Sequence, residues 1–379
     1  MKQIAIKLIF LVSFAIALIA CNETMGDKDS QLSEVKTLIE PLTDKYVELD
    51  PLPSASVYFE WDYVPVESSG LVVYQIAFDK LDGDFSNPVY LLNSDNNGYY
   101  NNATISHKQL NKIAGMMGIT ASATGGFKWT VFASKGMKTV KSEQENTIAV
   151  TRLAGFDDLP IEVYLTGEAS EGGSDVSKAH KMKTVAVGEF EVYTKLVAGK
   201  PFHFVEGASN SPREFYSEGG IIKEDGTASV SEDGIYRITF DFVTGACTYT
   251  LVTRIGFYFS PEDEILFDLP YIGYGIFQTR ATVTFKQESW GRDQRYKFRV
   301  FMKGDAGAGD EKEWEWCTLN GTDSSPTASS PESYYYLRLK ESMDQWEDKW
   351  KLMDAFDGVE AEYTIYLTAD QPYTHTVIR

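Results

Sequence analysis

The chain is poor in the residues that build metal centres and disulfide frameworks. Its 379 residues include three cysteines and four histidines. Cys247 and Cys317 stand far apart in sequence, and no histidine has the spacing of a zinc site or lies in a nucleophile motif. The sequence therefore predicts no metal and no cofactor. The two cysteines are expected to pack as small apolar side chains.

Positive charge is scarce as well, because 35 lysines and arginines stand against 55 aspartates and glutamates. The formal net charge is −20 at pH 7, and a surface of this sign repels nucleic acid and anionic lipid. We therefore expect no nucleic-acid partner. A neutral or cationic ligand is favoured.

Catalytic motifs are also missing. The sequence has neither a glycine-rich phosphate loop nor the glycine-flanked serine turn of hydrolases. The abundant carboxylates leave glycoside hydrolysis open, because two acidic side chains suffice for it and their separation cannot be determined without a fold. The chain is nevertheless predicted not to be an enzyme.

Long apolar runs are limited to residues 8–20, which follow two lysines and have the pattern of a secretory signal. This run is too short to span a bilayer comfortably. It ends in residues 18–21, Leu-Ile-Ala-Cys, which resemble the lipobox of bacterial lipoproteins. We expect residues 1–20 to be a signal peptide and Cys21 to carry the lipid anchor. A plain signal peptide or a short membrane anchor is the alternative.

The segment after the lipid site, residues 21–34, is polar and acidic, and it has too little apolar content to fold. We expect it to be a solvated tether. An acidic tether in this position resembles the export signal of Bacteroidetes surface lipoproteins. This resemblance implies a lipid-anchored protein exposed on the cell surface.

Apolar residues alternate with polar ones along much of the remaining chain, which indicates β-strands. Residues 56–62, 72–78 and 127–133 show this period clearly. Trp61 and Trp129 fall on the apolar faces of two of these strands and are predicted to be core residues. Between them, a capping box that begins at Ser106 predicts one short helix.

The turn residues and strand spacing predict an all-β protein of tandem β-sandwiches. Chain length favours three domains, at residues 35–152, 159–253 and 254–379. Within the third, residues 280–285 and 295–301 are predicted to form a hairpin.

Short motifs in the first of these domains carry a further resemblance. They are residues 59–61, 74–76, 84–88, 110–111 and 129–131. This set is similar to the N-terminal immunoglobulin-like domain of SusE, a family of outer-membrane lipoproteins of Bacteroidetes glycan-uptake systems. The later segments resemble the C-terminal modules of the same family. The resemblance implies an immunoglobulin- or fibronectin III-like domain, then two carbohydrate-binding-module-like sandwiches, and a SusC/SusD-like transporter as partner.

The second domain departs from the pattern of its relatives at Ser174. There the family has a tryptophan after two glycines, whereas this chain has a serine after Gly172 and Gly173. Losing the indole removes the expected stacking surface for a sugar. The second domain is therefore predicted to be a spacer that binds glycan poorly.

A glycan site needs exposed aromatic rings beside polar side chains, because sugars present C–H faces to rings and hydroxyls to polar groups. The third domain offers seven candidates: Trp290, Trp314, Trp316, Tyr334, Tyr336, Arg338 and Trp346. Strand alternation would place Tyr334, Tyr336 and Arg338 on one face. Trp290 is expected in an exposed turn.

Two alternatives stay open for these aromatic residues. Trp314, Trp316 and Tyr336 could fill the core instead of a binding site. Residues 343–353 also fit one face of a helix, which would bury both Trp346 and Trp350. The resemblance favours a turn, with Trp346 exposed and Trp350 buried.

The sequence thus predicts a non-catalytic surface lipoprotein that binds an oligo- or polysaccharide close to a transporter. The competing interpretation is a structural accessory subunit that braces the transporter without binding glycan.

Overall fold

The computed structural model describes residues 32–379 except 53, 66–70, 208–211, 305–308 and 320–323. The predicted signal peptide, Cys21 and most of the tether lie outside the described residues. The chain divides into two compact units, with the boundary between Leu153 and Ala154. Within the described residues, no helix has the length and apolar character needed to cross a membrane. The predicted all-β class is confirmed.

In the part of the first unit that the structure describes, nine strands form two sheets. They are β1 (Leu38–Glu40), β2 (Lys45–Glu48), β3 (Ser56–Trp61), β4 (Val73–Asp79), β5 (Tyr90–Asn93), β6 (Asn102–Ser106), β7 (Thr124–Lys135), β8 (Lys138–Lys141) and β9 (Asn146–Thr151). One sheet has the order β1-β3-β6, and the other has the order β2-β9-β7-β4-β5, with β8 beside β7. Trp61 and Trp129 are fully buried between them, as predicted. Phe59 packs edge-on against Trp129, with ring centroids 5.1 Å apart.

The predicted helix of this unit is α1, His107–Met116. The hydroxyl of Ser106 accepts a hydrogen bond from the main-chain N–H of Gln109, 3.2 Å away, which satisfies one of the free N–H groups at the helix start. Leu110 and Ile113 are buried. Gly118 follows the helix at φ +90°, a conformation that glycine adopts without steric strain.

The described residues of the second unit form twenty strands. They are β10 (Val163–Thr166), β11 (His180–Lys181), β12 (Lys183–Ala186), β13 (Glu189–Leu196), β14 (His203–Glu206), β15 (Glu214–Glu218), β16 (Ile221–Glu224), β17 (Gly234–Asp241), β18 (Ala246–Phe259), β19 (Glu264–Asp268), β20 (Tyr271–Gly273), β21 (Ile276–Thr282), β22 (Lys286–Glu288), β23 (Gly291–Asp293), β24 (Arg295–Lys303), β25 (Glu311–Thr318), β26 (Leu337–Lys340), β27 (Trp350–Lys351), β28 (Glu360–Tyr366) and β29 (Thr374–Ile378). They are accompanied by 3-10 turns at Val176–Lys178, Glu332–Tyr335 and Asp354–Phe356.

A continuous sheet runs through this second unit. We use the names second module and third module for residues 159–253 and 254–379. Strand β18 crosses the division between them: its first part pairs with β17 of the second module, and its later part pairs with β24 of the third. A second sheet, β20-β21-β28-β29, packs against the third module's part of the large sheet. The two modules therefore share one strand.

The core of the third module also takes a side chain from the second. Tyr193, on β13, is buried within the third module's hydrophobic cluster. Its ring lies 5.9 Å from that of Trp316 and 5.9 Å from that of Tyr373. Glu171 of the second module accepts a hydrogen bond from the hydroxyl of Tyr271, 2.8 Å away. Apolar packing and hydrogen bonding therefore both join the two modules.

The predicted pairing of residues 280–285 with 295–301 is wrong. Strand β21 pairs with β28, whereas β24 belongs to the large sheet and pairs with β18 and β25. Alternation in a sequence identifies strands but does not identify their partners. A smaller hairpin, β22–β23, lies between the two strands, and Trp290 is in its turn as expected.

Candidate functional site

Strand β24 separates the core of the third module from a charged outer face. Tyr296, Phe298 and Val300 belong to the hydrophobic cluster. The alternate residues Lys297 and Arg299 instead contact carboxylates of the neighbouring strand β25. We call this side of β24, β25 and β26 the outer face.

Strand β25 turns its two tryptophans towards the core. They share one side of the strand, as the alternation predicts, but that side packs on the hydrophobic cluster. Trp316 is 1% exposed, and Trp314 is half-buried with the guanidinium of Arg237 5.8 Å from its ring centroid. Trp316 is therefore a core residue, and its expected role as a sugar-stacking surface is wrong.

The sequence pattern also predicts the wrong position for Tyr334. Residues Glu332–Tyr335 form a 3-10 turn instead of a strand, so strand alternation does not apply to them. Tyr334 is 7% exposed, and its hydroxyl donates a hydrogen bond to the carbonyl of Ser324, 3.0 Å away. Its own carbonyl accepts from the indole N–H of Trp350 at 2.8 Å. Tyr334 is thus a structural residue with no surface to offer a ligand.

Trp290 and Trp346 are the exposed tryptophans of the third module, at 66% and 40% exposure. We call them the tryptophan pair. The guanidinium carbon of Arg295 lies 4.4 Å from the ring centroid of Trp346 and 5.9 Å from that of Trp290. One cation therefore brings together two exposed indoles that are distant in sequence.

The guanidinium of Arg295 is held in place by the carboxylate of Asp293. The Nε of Arg295 donates to the Oδ1 of Asp293 at 2.8 Å, and Asp293 is buried. Charge-assisted bonds of this kind hold a guanidinium in a defined orientation. Sequence reasoning missed Arg295. Its only signal was a position close after Trp290, because its contact with Trp346 depends on the fold.

Trp346 lies in a loop that is anchored to the sheet. The carboxylate of Asp344 accepts from the N–H groups of Glu347 and Trp346, at 2.6 and 2.7 Å, and these bonds lower the pKa of Asp344. Gln345 donates to the carbonyl of Ser260 at 3.0 Å. This loop contains no helix, so Trp346 is exposed and Trp350 buried, as predicted.

A buried charge network lies beneath this loop. Lys297 and Glu315 are both fully buried, with the Nζ of Lys297 3.1 Å from each carboxylate oxygen. Lys297 also donates to the main-chain carbonyl of Asp344. Burial lowers the pKa of Lys297, while the charge of Glu315 opposes that shift. Buried ion pairs add little net stability, and here the network fixes the loop that carries Trp346.

Two more regions of the outer face supply polar groups. Arg338 contacts the carboxylate of Asp348 at 2.7 Å, close in sequence to Trp346. A second region is an open pocket of about 540 Å³, whose lining includes Arg254, Asp263 and Glu313. The face therefore offers hydrogen-bond donors and acceptors of both charges. Tyr336, the remaining predicted residue, lines a separate cleft together with Tyr366 and Gln371.

Comparisons with known proteins bear on the first unit. Residues 23–132 match the sequence model of the SusE outer membrane protein family. No curated protein matches the chain. Among solved structures, SusF from Bacteroides thetaiotaomicron aligns over 91% of this chain and 75% of its own, with 11% identity and a TM-score of 0.26, a similarity too low to support an argument. The family match confirms the predicted resemblance to SusE and agrees with the predicted outer-membrane location.

Proposed function

We propose that this chain is a non-catalytic glycan-binding lipoprotein of the outer membrane and that the tryptophan pair is its binding site. The observation that carries this proposal is the pair of exposed indoles beside one fixed guanidinium. Large aromatic side chains bury the most apolar surface when they pack in a core, so their burial stabilises a fold strongly. Two of them left exposed beside one cation need an explanation, and a sugar ring that packs on them supplies it.

The chemistry around the pair fits a neutral sugar. The faces of a sugar ring pack on indoles. Its hydroxyls both accept and donate hydrogen bonds, so they can accept from the guanidinium of Arg338 and donate to the carboxylate of Asp348. The net charge of −20 disfavours polyanionic glycans, since the whole chain would repel them. The ligand proposed is therefore a neutral oligo- or polysaccharide.

The second module remains a predicted spacer. Ser174 is exposed at the place where the resemblance to the family implies an indole. Among the described residues of this module, the exposed large apolar side chains are aliphatic, for example Ile161, Val185 and Val187. An aliphatic side chain offers a sugar no flat π surface. Glycan binding is thus assigned to the third module alone.

Replacing either tryptophan of the pair with alanine is expected to weaken glycan binding without unfolding the protein. A ring contact contributes roughly 0.5–1.5 kcal/mol, so each substitution should raise Kd about 2- to 12-fold. The measurement is calorimetry with the chain from residue 22, against oligosaccharides derived from α-glucan, β-glucan, xylan and mannan.

The matched control is Tyr63→Ala, because Tyr63 is 60% exposed and belongs to the first unit. This variant should retain the full affinity. If Trp290→Ala and Trp346→Ala bind as tightly as the unaltered chain, the site lies elsewhere. If the unaltered chain binds none of these glycans, the structural-subunit alternative replaces the proposal.

The anchor is assigned to Cys21, at the end of the lipobox-like segment, and the transporter partnership follows from the family resemblance. Cys21→Ser is expected to prevent lipidation, so that the protein is found in the soluble fraction or at the inner membrane. Detergent-phase partitioning and surface labelling of whole cells measure this. Unchanged partitioning of the variant would contradict the anchor.

A further inference from the structure

A second concave surface of the third module is lined by three tyrosines. It is a cleft of about 320 Å³ between the turn Glu332–Tyr335 and the strands β28 and β29. Tyr335, Tyr336 and Tyr366 line it, together with Glu332 and Gln371. We call it the tyrosine cleft. It is formed by different residues from the tryptophan pair.

The wall of the cleft is rigid. The carbonyl of Tyr335 accepts from the hydroxyl of Thr374 at 3.1 Å and from the Nδ1 of His375 at 3.0 Å. With Nδ1 donating, the Nε2 of His375 accepts from the buried hydroxyl of Tyr296 at 2.7 Å. Burial lowers the pKa of His375 to about 3, so this ring stays neutral at physiological pH. The cleft is therefore formed before any ligand arrives, which reduces the ordering cost of binding.

The lining of the cleft suits one uncharged ring. Its volume lies at the lower end of the range for small-molecule pockets, about 300–1,000 Å³. No lysine or arginine lines the described cleft, which disfavours an anion, and Glu332 is its single acidic residue. Within the part of the chain that the structure describes, the hydroxyls of Tyr336 and Tyr366 make no hydrogen bond, so both remain able to bind a sugar hydroxyl.

We propose that the tyrosine cleft is a second saccharide subsite, so that the third module holds neutral glycan at two separate places. This inference rests on the proposed function, because it assigns the same ligand class to a new site. Two sites on one module raise the apparent affinity for a long glycan, since binding at one site raises the effective concentration at the other.

The test uses the chain from residue 22 labelled with both 5-fluorotryptophan and 3-fluorotyrosine. Fluorine NMR then reports on the two sites separately, because the cleft contains tyrosines and the other site contains tryptophans. The probe is the hexasaccharide, from α-glucan, β-glucan, xylan or mannan, that binds most tightly. We expect both the Trp346 and the Tyr366 resonances to shift, and calorimetry to give two equivalents per chain.

Three substitutions separate the sites. Gln371→Ala and Tyr366→Ala should each reduce the stoichiometry from two equivalents to one, with tryptophan shifts intact. Gln371 is exposed, so its side chain can be removed without disturbing the core. Trp346→Ala should leave the tyrosine shifts intact. One equivalent with shifts of tryptophan alone would overturn the second subsite while the proposed function stands. Tyrosine shifts alone would instead refute the tryptophan pair and retain the cleft as a saccharide site.

Discussion

Trp316→Ala is expected to lower the free energy of unfolding by about 3–5 kcal/mol, the usual cost of truncating a buried tryptophan to alanine. Trp316 is 1% exposed and packs on Tyr193 within the third module's core. For a unit of this size, each kcal/mol shifts the melting temperature by about 2–4 °C. The melting temperature of residues 154–379 should therefore fall by about 6–20 °C, measured by calorimetry.

Trp346→Ala is the matched control, because it removes the same side chain from an exposed position. Its melting shift should stay within about 2 °C, since surface substitutions usually change stability by less than about 0.5 kcal/mol. The two substitutions should have opposite effects on glycan affinity. Trp346→Ala should lower the affinity, whereas the folded fraction of Trp316→Ala should retain it. Equal melting temperatures for the two variants would contradict the assignment of Trp316 to the core.

Sequence periodicity is sufficient to predict an element whose structure depends on its local sequence pattern. The strands around Trp61 and Trp129 and the capped helix at Ser106 depend on alternation and on one side-chain cap, and each formed as predicted. The same alternation placed Trp314 and Trp316 on one side of β25. Alternation alone does not show whether that side faces core or solvent, and here the opposite side is also covered, because Glu313 is partly buried and Glu315 is fully buried.

Long-range contacts could not be predicted in this way. Arg295 brings the tryptophan pair together only because the loop of Trp346 folds back over β24. Strand alternation predicts an exposed Tyr334, yet this residue lies in the 3-10 turn that follows Pro331, and its ring is buried. The fold class and the core tryptophans of the first unit therefore follow from sequence, whereas the core and the binding surface of the third module depend on long-range contacts.

The boundary expected between residues 253 and 254 falls inside β18. The strand has an irregularity in its pairing between Val252 and Arg254, and a shifted register moves the following side chains to the opposite face. Such a shift interrupts the alternation of apolar and polar residues. The sequence pattern therefore predicts that one strand ends there and another begins. The structure shows one strand that belongs to both modules.

A fragment of residues 254–379 is therefore expected to be much less stable than residues 154–379. The cut leaves β18 without its first half and removes Tyr193 from the third module's core. Losing the ring of Tyr193 alone should cost about 3–5 kcal/mol by analogy with other buried aromatic residues. This is a large part of the roughly 5–15 kcal/mol that stabilises a typical domain.

The measurement compares thermal unfolding of the two fragments by calorimetry and near-ultraviolet circular dichroism. Residues 154–379 should unfold in one cooperative transition, and residues 254–379 should melt far lower or lack fixed tertiary signal. Tyr193→Ala in residues 154–379 tests the same contact without a cut, and it should lower the melting temperature as Trp316→Ala does. If the short fragment melts at the temperature of the long one, the third module is an independent domain and the shared strand contributes nothing to its stability. Because the two modules share a core, glycan binding by variants of the third module is best measured on a chain that retains both.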